Sequence, residues 1–279
     1  MKWSSSISEK PSLDDAISEC AVSIQDDFGG QTPDLAVAFP SAHHASEYDL
    51  LPDLVRRHFG DCLLVGCSAG GVIGAGREVE HRPGVAITVA RLPDVEVVPF
   101  HVESDALPDA DAGPDRWEAL VGTPSDVNPQ FVLLADPFSF ATDSLLMGLD
   151  YAFHRSAKIG GLASGAGEPG GNALYLSDNV LRSGAVGVAM HGAIDVDTIV
   201  AQGCRPIGKP MQVTSCSHNL LMELDGCGPL EVLRKLFGSL SERDQQLVRH
   251  SLFLGVVMDE LNESPQLGDF LIRNIVGVD

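Results

Sequence analysis

The stretch Val65-Gly66-Cys67-Ser68-Ala69-Gly70-Gly71-Val72-Ile73-Gly74-Ala75-Gly76 decides how the surrounding chain folds. It contains five glycines and begins at the end of the apolar run Cys62-Leu63-Leu64-Val65. A strand that continues into so many glycines needs positive φ angles or a close approach of its backbone to another group. We therefore predict a strand at residues 62–67, followed by backbone that packs tightly against either a neighbouring strand or a ligand.

A second stretch of the same kind, Lys158-Ile159-Gly160-Gly161-Leu162-Ala163-Ser164-Gly165, lies later in the chain. Both stretches come after an apolar strand and a helix, and both are followed by further strands. These elements fall at residues 35–39, 46–59 and 85–90 around the first stretch, and at 130–135, 141–154 and 185–190 around the second. The recurrence predicts a duplicated β-α-β-β-β unit, with repeats at about residues 30–102 and 126–192.

Local signals place the remaining elements of the first part. The sequence Ser12-Leu13-Asp14-Asp15 is typical of a helix N-terminus, and Gly29-Gly30 is typical of the end of that helix. Residues 77–80 and 85–90 are predicted to form a hairpin, followed by a strand at 95–100. The acidic, proline-containing residues 104–114 are predicted to form a loop.

The sequence changes character after Gly192. Strands are predicted at residues 194–202, 211–216, 252–258 and 269–276, with helices beginning at Pro229 and Ser241. We predict a mixed α/β fold in which the duplicated units form a shared mixed-sheet assembly over residues 1–192. Residues 193–279 are predicted to be part of a second, α+β domain.

Composition and charge exclude several classes of function. The net charge of −21 repels nucleic acid and anionic membrane surfaces. No apolar run approaches the ~20 residues of a membrane-spanning helix, and the first residues lack the apolar core of a signal peptide. The six cysteines show no C-x-x-C spacing, which favours free thiols in a reducing compartment. We therefore expect a cytoplasmic protein with no nucleic-acid partner and no membrane insertion.

Several motifs together resemble the FIST family of bacterial sensory domains. They are Gly66-Cys67-Ser68-Ala69-Gly70-Gly71, Gly160-Gly161-Leu162-Ala163-Ser164, Gly203-Cys204-x-Pro206-Ile207-Gly208, Val213-Thr214, Asn219, Leu224-Asp225-Gly226 and Phe270-Leu271-Ile272-Arg273. The resemblance implies a FIST N-like domain over residues 1–192 and the start of a FIST C-like domain, incomplete, over residues 193–279. It also implies a domain that binds a small ligand, such as an amino acid, and passes a signal to a partner protein.

An enzyme is the main alternative. Residues 66–70 match the G-x-S-x-G elbow of α/β-hydrolases, with Ser68 as the nucleophile and with Asp143 and His191 or His218 in the right chain order. The elbow requires a helix directly after the nucleophile, whereas the glycines and Pro83 of residues 72–90 favour a hairpin. A thiol enzyme using Cys67 is a further possibility, although a small packing residue is the favoured interpretation of Cys67.

Cofactor and metal sites find little support. No lysine follows Gly70 or Gly71 as a phosphate-binding loop requires, so no nucleotide cofactor is expected. His43 and His44 are adjacent, and on an extended chain they point to opposite sides, so no metal is expected either. Arg205 is interpreted either as a clamp for a ligand carboxylate or as a surface ion pair.

We therefore predict a non-enzymatic sensor whose ligand lies where the loops after the equivalent strands converge. The predicted ligand-binding residues are Ser41, His43, His44, Cys67, Ser68, Gly70, Ser139, Asp143 and Ser164, together with Arg205. Two alternatives remain open at this point, a hydrolase or thiol enzyme and a partner-binding scaffold without a ligand.

Overall fold

The computed structural model describes residues 1–109, 111–199, 204–217, 220–249, 251–258, 265, 269–275 and 277. The chain divides into two units, Met1–Thr198 and Ile199–Asp279. Parallel and antiparallel strand pairs occur together with helices, so the predicted mixed α/β class is confirmed. None of the helices within these residues has both the length and the apolar character needed to cross a bilayer.

The first unit is built from strands β1–β12 and helices α1–α4. The strands are β1 (Lys2–Ser8), β2 (Leu35–Pro40), β3 (Leu63–Cys67), β4 (Gly71–Gly74), β5 (Arg77–Glu80), β6 (Val85–Arg91), β7 (Val95–Val102), β8 (Gln130–Ala135), β9 (Lys158–Leu162), β10 (Leu174–Leu176), β11 (Asn179–Leu181) and β12 (Ala185–Gly192). The helices are α1 (Leu13–Phe28), α2 (Leu51–Phe59), α3 (Pro114–Val121) and α4 (Thr142–Ala152), with 3₁₀ segments at Ala42–Leu50, Ser104–Ala106 and Ser125–Val127.

Two sheets in this unit share one pattern of strand order. The first sheet runs β1-β6-β2-β3-β10-β11 and the second runs β7-β12-β8-β9. In each sheet a parallel pair, β2 with β3 or β8 with β9, is followed by two antiparallel neighbours. Strand β7 lies within the first predicted repeat but pairs with β12 in the second sheet. The matching order supports the predicted duplication, which stays a prediction.

The two sheets pack face to face, with helices on both outer faces. Alternate residues of β2 show how this arises, because Leu35 lies in the core between the sheets whereas Ala36 lies in the core beneath α1 and α2. On β8, Leu134 belongs to the core between the sheets and Leu133 to the core beneath α3 and α4. This period of two places apolar residues on both faces of each sheet and produces four layers.

The capping signals of α1 are confirmed. The Ser12 hydroxyl accepts a hydrogen bond from the Asp15 N–H at 3.5 Å, and Gly29 ends the helix in the left-handed conformation with φ 60°. The 3.6-residue period then places Leu13, Ile17 and Ile24 on the buried face, against the first sheet.

The first glycine of the opening stretch is required by a neighbouring strand. A Cβ on Gly66 would lie 2.0 Å from the carbonyl oxygen of Ala38 on β2. The second sheet repeats this contact, because a Cβ on Gly160 would lie 1.7 Å from the carbonyl oxygen of Leu133 on β8. At both positions the glycine therefore serves the close packing of neighbouring strands.

The predicted hairpin of residues 77–80 and 85–90 is wrong. Strand β5 pairs with β4, while β6 pairs with β1 and β2. The turn between β4 and β5 consists of Ala75 and Gly76, both with positive φ, which is the geometry that tight hairpins favour. Strand β1 was not predicted, and the helical prediction at residues 46–59 holds as α2 preceded by a 3₁₀ segment.

The second unit contains two strand pairs and two helices among its described residues. They are β13 (Val213–Ser217) with β14 (Leu220–Leu224), α5 (Pro229–Ser239), α6 (Glu242–Val248), and β15 (Phe253–Val257) with β16 (Phe270–Asn274). The strand predicted at residues 194–202 is wrong over residues 194–199, and residues 200–202 lie outside the described residues. Gly203 and His218 also lie outside them.

We predict that Gly66→Ala lowers the free energy of unfolding by about 1–3 kcal/mol, because the new methyl group overlaps the Ala38 carbonyl. Urea unfolding measures this change. Gly167→Ala is the matched control, since a Cβ there meets no atom within 4 Å. Equal stability of the two variants would contradict the packing role of Gly66.

Candidate functional site

The loops that follow β2, β3, β8 and β9 meet at one end of the two sheets. Ser41, after β2, forms a parallel bridge with Ala69, after β3. The Ser164 N–H, after β9, donates to the Ser68 carbonyl at 3.0 Å. The carboxyl ends of parallel strands collect polar side chains in this way. We call this region the strand-end junction, and its residues are Ser41, Ser68, Asp136, Ser139, Ser164 and Asn172.

A buried chain of hydrogen bonds crosses the strand-end junction from one sheet to the other. The Ser68 hydroxyl donates to Asn172 Oδ1 at 3.1 Å, and Asn172 Nδ2 donates to Asp136 Oδ1 at 2.9 Å. The Ser139 hydroxyl then donates to Asp136 Oδ2 at 2.7 Å. Ser68, Asp136 and Asn172 are fully buried, so each group depends on these partners for its hydrogen bonds.

Asn172 is the centre of this chain. Its Oδ1 also accepts from the Ala166 N–H at 2.9 Å, so the carboxamide holds the β9–β10 loop as well as both sheets. Sequence reasoning missed both Asp136 and Asn172. Asp136 carries a usable signal, a charged residue directly after the apolar strand β8, whereas Asn172 lies in a glycine-rich loop that gives no such signal.

Tyr48 is a buried residue that packs beside this chain of hydrogen bonds. Its hydroxyl donates to the Ser41 carbonyl at 3.3 Å, and burial raises its pKa. A Cβ on Gly165 would lie 2.6 Å from the Ser68 Oγ and 2.8 Å from the Tyr48 Oη. The backbone at Gly165 therefore lies directly on these two hydroxyl groups, and only glycine fits there.

Three residues of this region reach solvent, and we call them the exposed rim: Gly70, Ser139 and Ser164. The Gly70 N–H donates to the Ser164 Oγ at 3.0 Å, which links the first sheet to the second at the surface. The Ser139 Oγ accepts from the Gly184 N–H at 3.0 Å. The rim therefore presents hydroxyl and backbone groups that a polar ligand can contact without entering the core.

Other predicted binding residues lie apart from the rim or point away from it. His43 is exposed on the 3₁₀ segment, and Asp143 is exposed in the first turn of α4. His44 is buried, and its Nε2 lies 3.0 Å from the Lys10 carbonyl, while its Nδ1 has no hydrogen-bond partner among the described residues. Arg205 is in the second unit, where it forms a surface ion pair with Asp244.

Cys67 lies in the core between the two sheets and is 4% exposed. Burial raises the pKa of its thiol to about 12, so the thiol is protonated at neutral pH. A buried thiol in apolar surroundings is unreactive. This environment favours the packing interpretation of Cys67 over the thiol-enzyme one.

Ser68 is placed unlike a hydrolase nucleophile. Its hydroxyl donates to a carboxamide and accepts from the Ala173 N–H at 3.0 Å, and neither group can take up a proton. His191 lies at the far end of β12, where it is 3.5 Å from Glu96. His218 lies outside the described residues, and Asp143 is exposed. The described residues thus supply Ser68 with no general base.

Two cavities described in the first unit lie elsewhere. One, of about 570 Å³, is lined by Ser6, Ile7, Glu9, Lys10, Glu19, Ser23, Ala75 and Arg77. The other, of about 420 Å³, is lined by Asp94, Val95, Glu96, His191 and Gly192. Two charged side chains of the first cavity already have partners, because Glu9 pairs with Arg82 at 2.7 Å and Arg77 donates to the Ile7 carbonyl at 3.0 Å.

Residues 34–227 match the family model described as the FIST N domain. This chain belongs to the FIST family. It is 34% identical over 273 residues to an uncharacterized protein of Mycobacterium tuberculosis, and the aligned residues make up 98% of this chain and 69% of that relative. It is 32% identical over 269 residues to an uncharacterized protein of Mycobacterium bovis, which covers 96% of this chain and 68% of that relative.

Membership in the FIST family associates this chain with small-ligand sensing in signal transduction, since the family is a sensory one and not an enzyme family. The matched segment contains every residue of the strand-end junction. Of the residues that line the larger cavity, it contains Ala75 and Arg77 alone. The family match therefore favours the strand-end junction over the larger cavity as the candidate site of this FIST protein.

We predict that Asn172→Ala lowers the free energy of unfolding by about 3 kcal/mol or more, because it leaves the buried Asp136 carboxylate and Ser68 hydroxyl without their shared partner. Urea unfolding tests this change. Asn179→Ala is the control at an exposed asparagine, with an expected change within about 0.5 kcal/mol. An Asn172→Ala variant as stable as the control would contradict the account of the hydrogen-bond chain.

We predict that Cys67 does not react with a thiol reagent in the folded protein at about pH 8, because its thiol is buried and protonated. Cys216 is exposed and provides the internal control. Mass spectrometry after brief labelling should find the label on Cys216 and, after unfolding, on Cys67 as well. Labelling of Cys67 in the folded protein would contradict this prediction and support the thiol-enzyme alternative.

Proposed function

We propose that this FIST protein is an intracellular sensor of a small polar metabolite, such as an amino acid, that binds at the exposed rim. The observation that carries the proposal is the bond from the Gly70 N–H to the Ser164 Oγ, which joins the two sheets at the surface. A ligand at this point contacts loops from both sheets at once. Such a ligand can stabilise one relative arrangement of the sheets over another, which is how binding becomes a signal.

The chemistry of the rim fits a polar ligand. Ser139 and Ser164 supply hydroxyl groups, and the Gly70 backbone adds an N–H that a ligand oxygen can use in place of Ser164. Glycine at position 70 leaves the backbone open, since a side chain there would meet the Ser164 carbonyl at 3.1 Å. The buried chain beneath the rim keeps these groups in place, and such preorganisation lowers the cost of binding.

The free thiols of the buried cysteines are consistent with an intracellular location. Cys20 and Cys67 are buried as free thiols, and burial raises the pKa of Cys20 to about 11. Free thiols of this kind persist in a reducing compartment. The partner that would receive the signal is a protein of unspecified identity.

We expect one or more compounds in a panel of amino acids and related metabolites to raise the melting temperature of the purified protein. At a ligand concentration of about 100 times Kd, the stabilisation is about 2.7 kcal/mol. Ser164→Ala should weaken binding because it removes the hydroxyl that bridges the two sheets. Ser144→Ala, an exposed serine on α4, is the matched control and should bind as wild type does.

Two results would overturn the proposal. One is a complete panel that leaves the melting temperature unchanged while a protein copurifies, which favours the scaffold alternative. The other is binding that Ser164→Ala and Ser144→Ala leave equally intact, which places the ligand away from the rim.

A further inference from the structure

We propose that the ion pair between Arg182 and Asp49 is the docking point for an α-amino acid, with the guanidinium taking the carboxylate and Asp49 taking the ammonium group. The proposal rests on the proposed function, because it assigns to two named residues the binding of the charged groups of that ligand. It also replaces Arg205 as the residue that binds the ligand carboxylate.

Arg182 lies directly beside the strand-end junction. It follows β11, and its Nη1 donates to the Asn172 carbonyl at 3.4 Å. Its guanidinium carbon lies 5.9 Å from the centre of the Tyr48 ring, within the range of a cation–π contact. Arg182 therefore contacts both Asn172, at the centre of the buried chain of hydrogen bonds, and Tyr48, which packs beside that chain.

Arg182 and Asp49 form a short ion pair, and both side chains are exposed enough for a ligand to replace either partner. Arg182 Nη2 lies 2.6 Å from Asp49 Oδ1, with side-chain exposures of 39% and 77%. An ion pair this exposed contributes little to stability. A ligand that offers a carboxylate to Arg182 and an ammonium to Asp49 replaces one ion pair by two, and the guanidinium fork binds a carboxylate through parallel hydrogen bonds.

Two buried hydroxyl groups lie in the core behind Arg182. The Tyr175 Oη has no hydrogen-bond partner among the described residues, and Tyr48, in the same core cluster, makes one bond of 3.3 Å. Both hydroxyl groups are protonated at neutral pH, and burial raises the pKa of both tyrosines further. A buried donor without a partner is costly, and a polar ligand that comes within reach would relieve that cost.

Overall charge favours a zwitterion over a simple anion. The net charge of −21 repels free anions, whereas an amino acid with an uncharged side chain carries no net charge near neutral pH. The local pair of opposite charges then orients the zwitterion in one direction only. Arg56 offers a useful comparison, because it pairs with Asp53 and Asp178 at similar exposure but makes no cation–π contact with a described tyrosine.

The test begins with isothermal titration of the full chain against the proteinogenic L-amino acids. Each amino acid that binds is then compared with its α-amide, which lacks the carboxylate, and its N-acetyl derivative, which lacks the ammonium group. We expect wild type to bind both derivatives roughly tenfold more weakly than the parent amino acid. Binding of the amide as tight as that of the parent overturns the proposal.

Variants assign each charge to its residue. Arg182→Gln should weaken the parent amino acid roughly tenfold and leave its α-amide unaffected, whereas Asp49→Asn should weaken the parent and leave the N-acetyl derivative unaffected. Arg182→Lys, which keeps the charge without the fork, should give an intermediate affinity, and Arg56→Gln is the control that binds as wild type does. Urea unfolding confirms that each variant is folded.

The failures of the two proposals are distinguishable. Binding that survives Arg182→Gln but is lost in Ser164→Ala overturns the role of Arg182 and leaves the rim proposal standing. A chain that binds none of the amino acids, yet binds another metabolite in a Ser164-dependent way, overturns the ligand class alone. No binding of any compound overturns both proposals.

Discussion

The buried carboxamide of Asn172 joins the two sheets of the first unit through hydrogen bonds to both. It accepts from Ser68, which follows the first sheet's strand β3, and it donates to Asp136, which follows the second sheet's strand β8. Because all three side chains are fully buried, each unmade bond would leave a polar group without water or a partner. The fit of the two sheets at this end therefore depends on the position of Asn172, together with the bonds that Ser164 makes to Ser68 and Gly70.

The glycines around this contact follow from the same constraint. Gly165 brings the β9–β10 loop onto Ser68 and Tyr48, and this approach lets Ala166 reach the carboxamide of Asn172. Gly66 plays a different part, since it allows β3 to lie against β2. The glycine-rich stretch that decides the local fold thus serves strand packing at its first glycine, whereas at Gly70 its backbone reaches the exposed rim.

The sequence predicted those features that depend on local signals. Helix α1 could be predicted because Ser12 and Gly29 terminate it through their own backbone and side-chain chemistry. The pairing of β6 could not be predicted, because its partners β1 and β2 lie far from it in the sequence and no local signal identifies them. Ser68 and Ser164 were correctly expected to lie near each other, but Asp136, Asn172 and Arg182 were missed. Their role arises only when loops from different strands meet, and single residues give no sign of that.

Native-state hydrogen exchange tests the central claim, that the buried chain at Asn172 holds the two sheets together, most directly. Three backbone amides make hydrogen bonds around Ser68. The Ser68 N–H donates to the Ala173 carbonyl, the Ala173 N–H to the Ser68 Oγ, and the Ser164 N–H to the Ser68 carbonyl. They should exchange only through global unfolding, with the same denaturant dependence as the amides of β2. Exchange of these three amides through a local opening that denaturant does not affect, while β2 stays protected, would contradict the account.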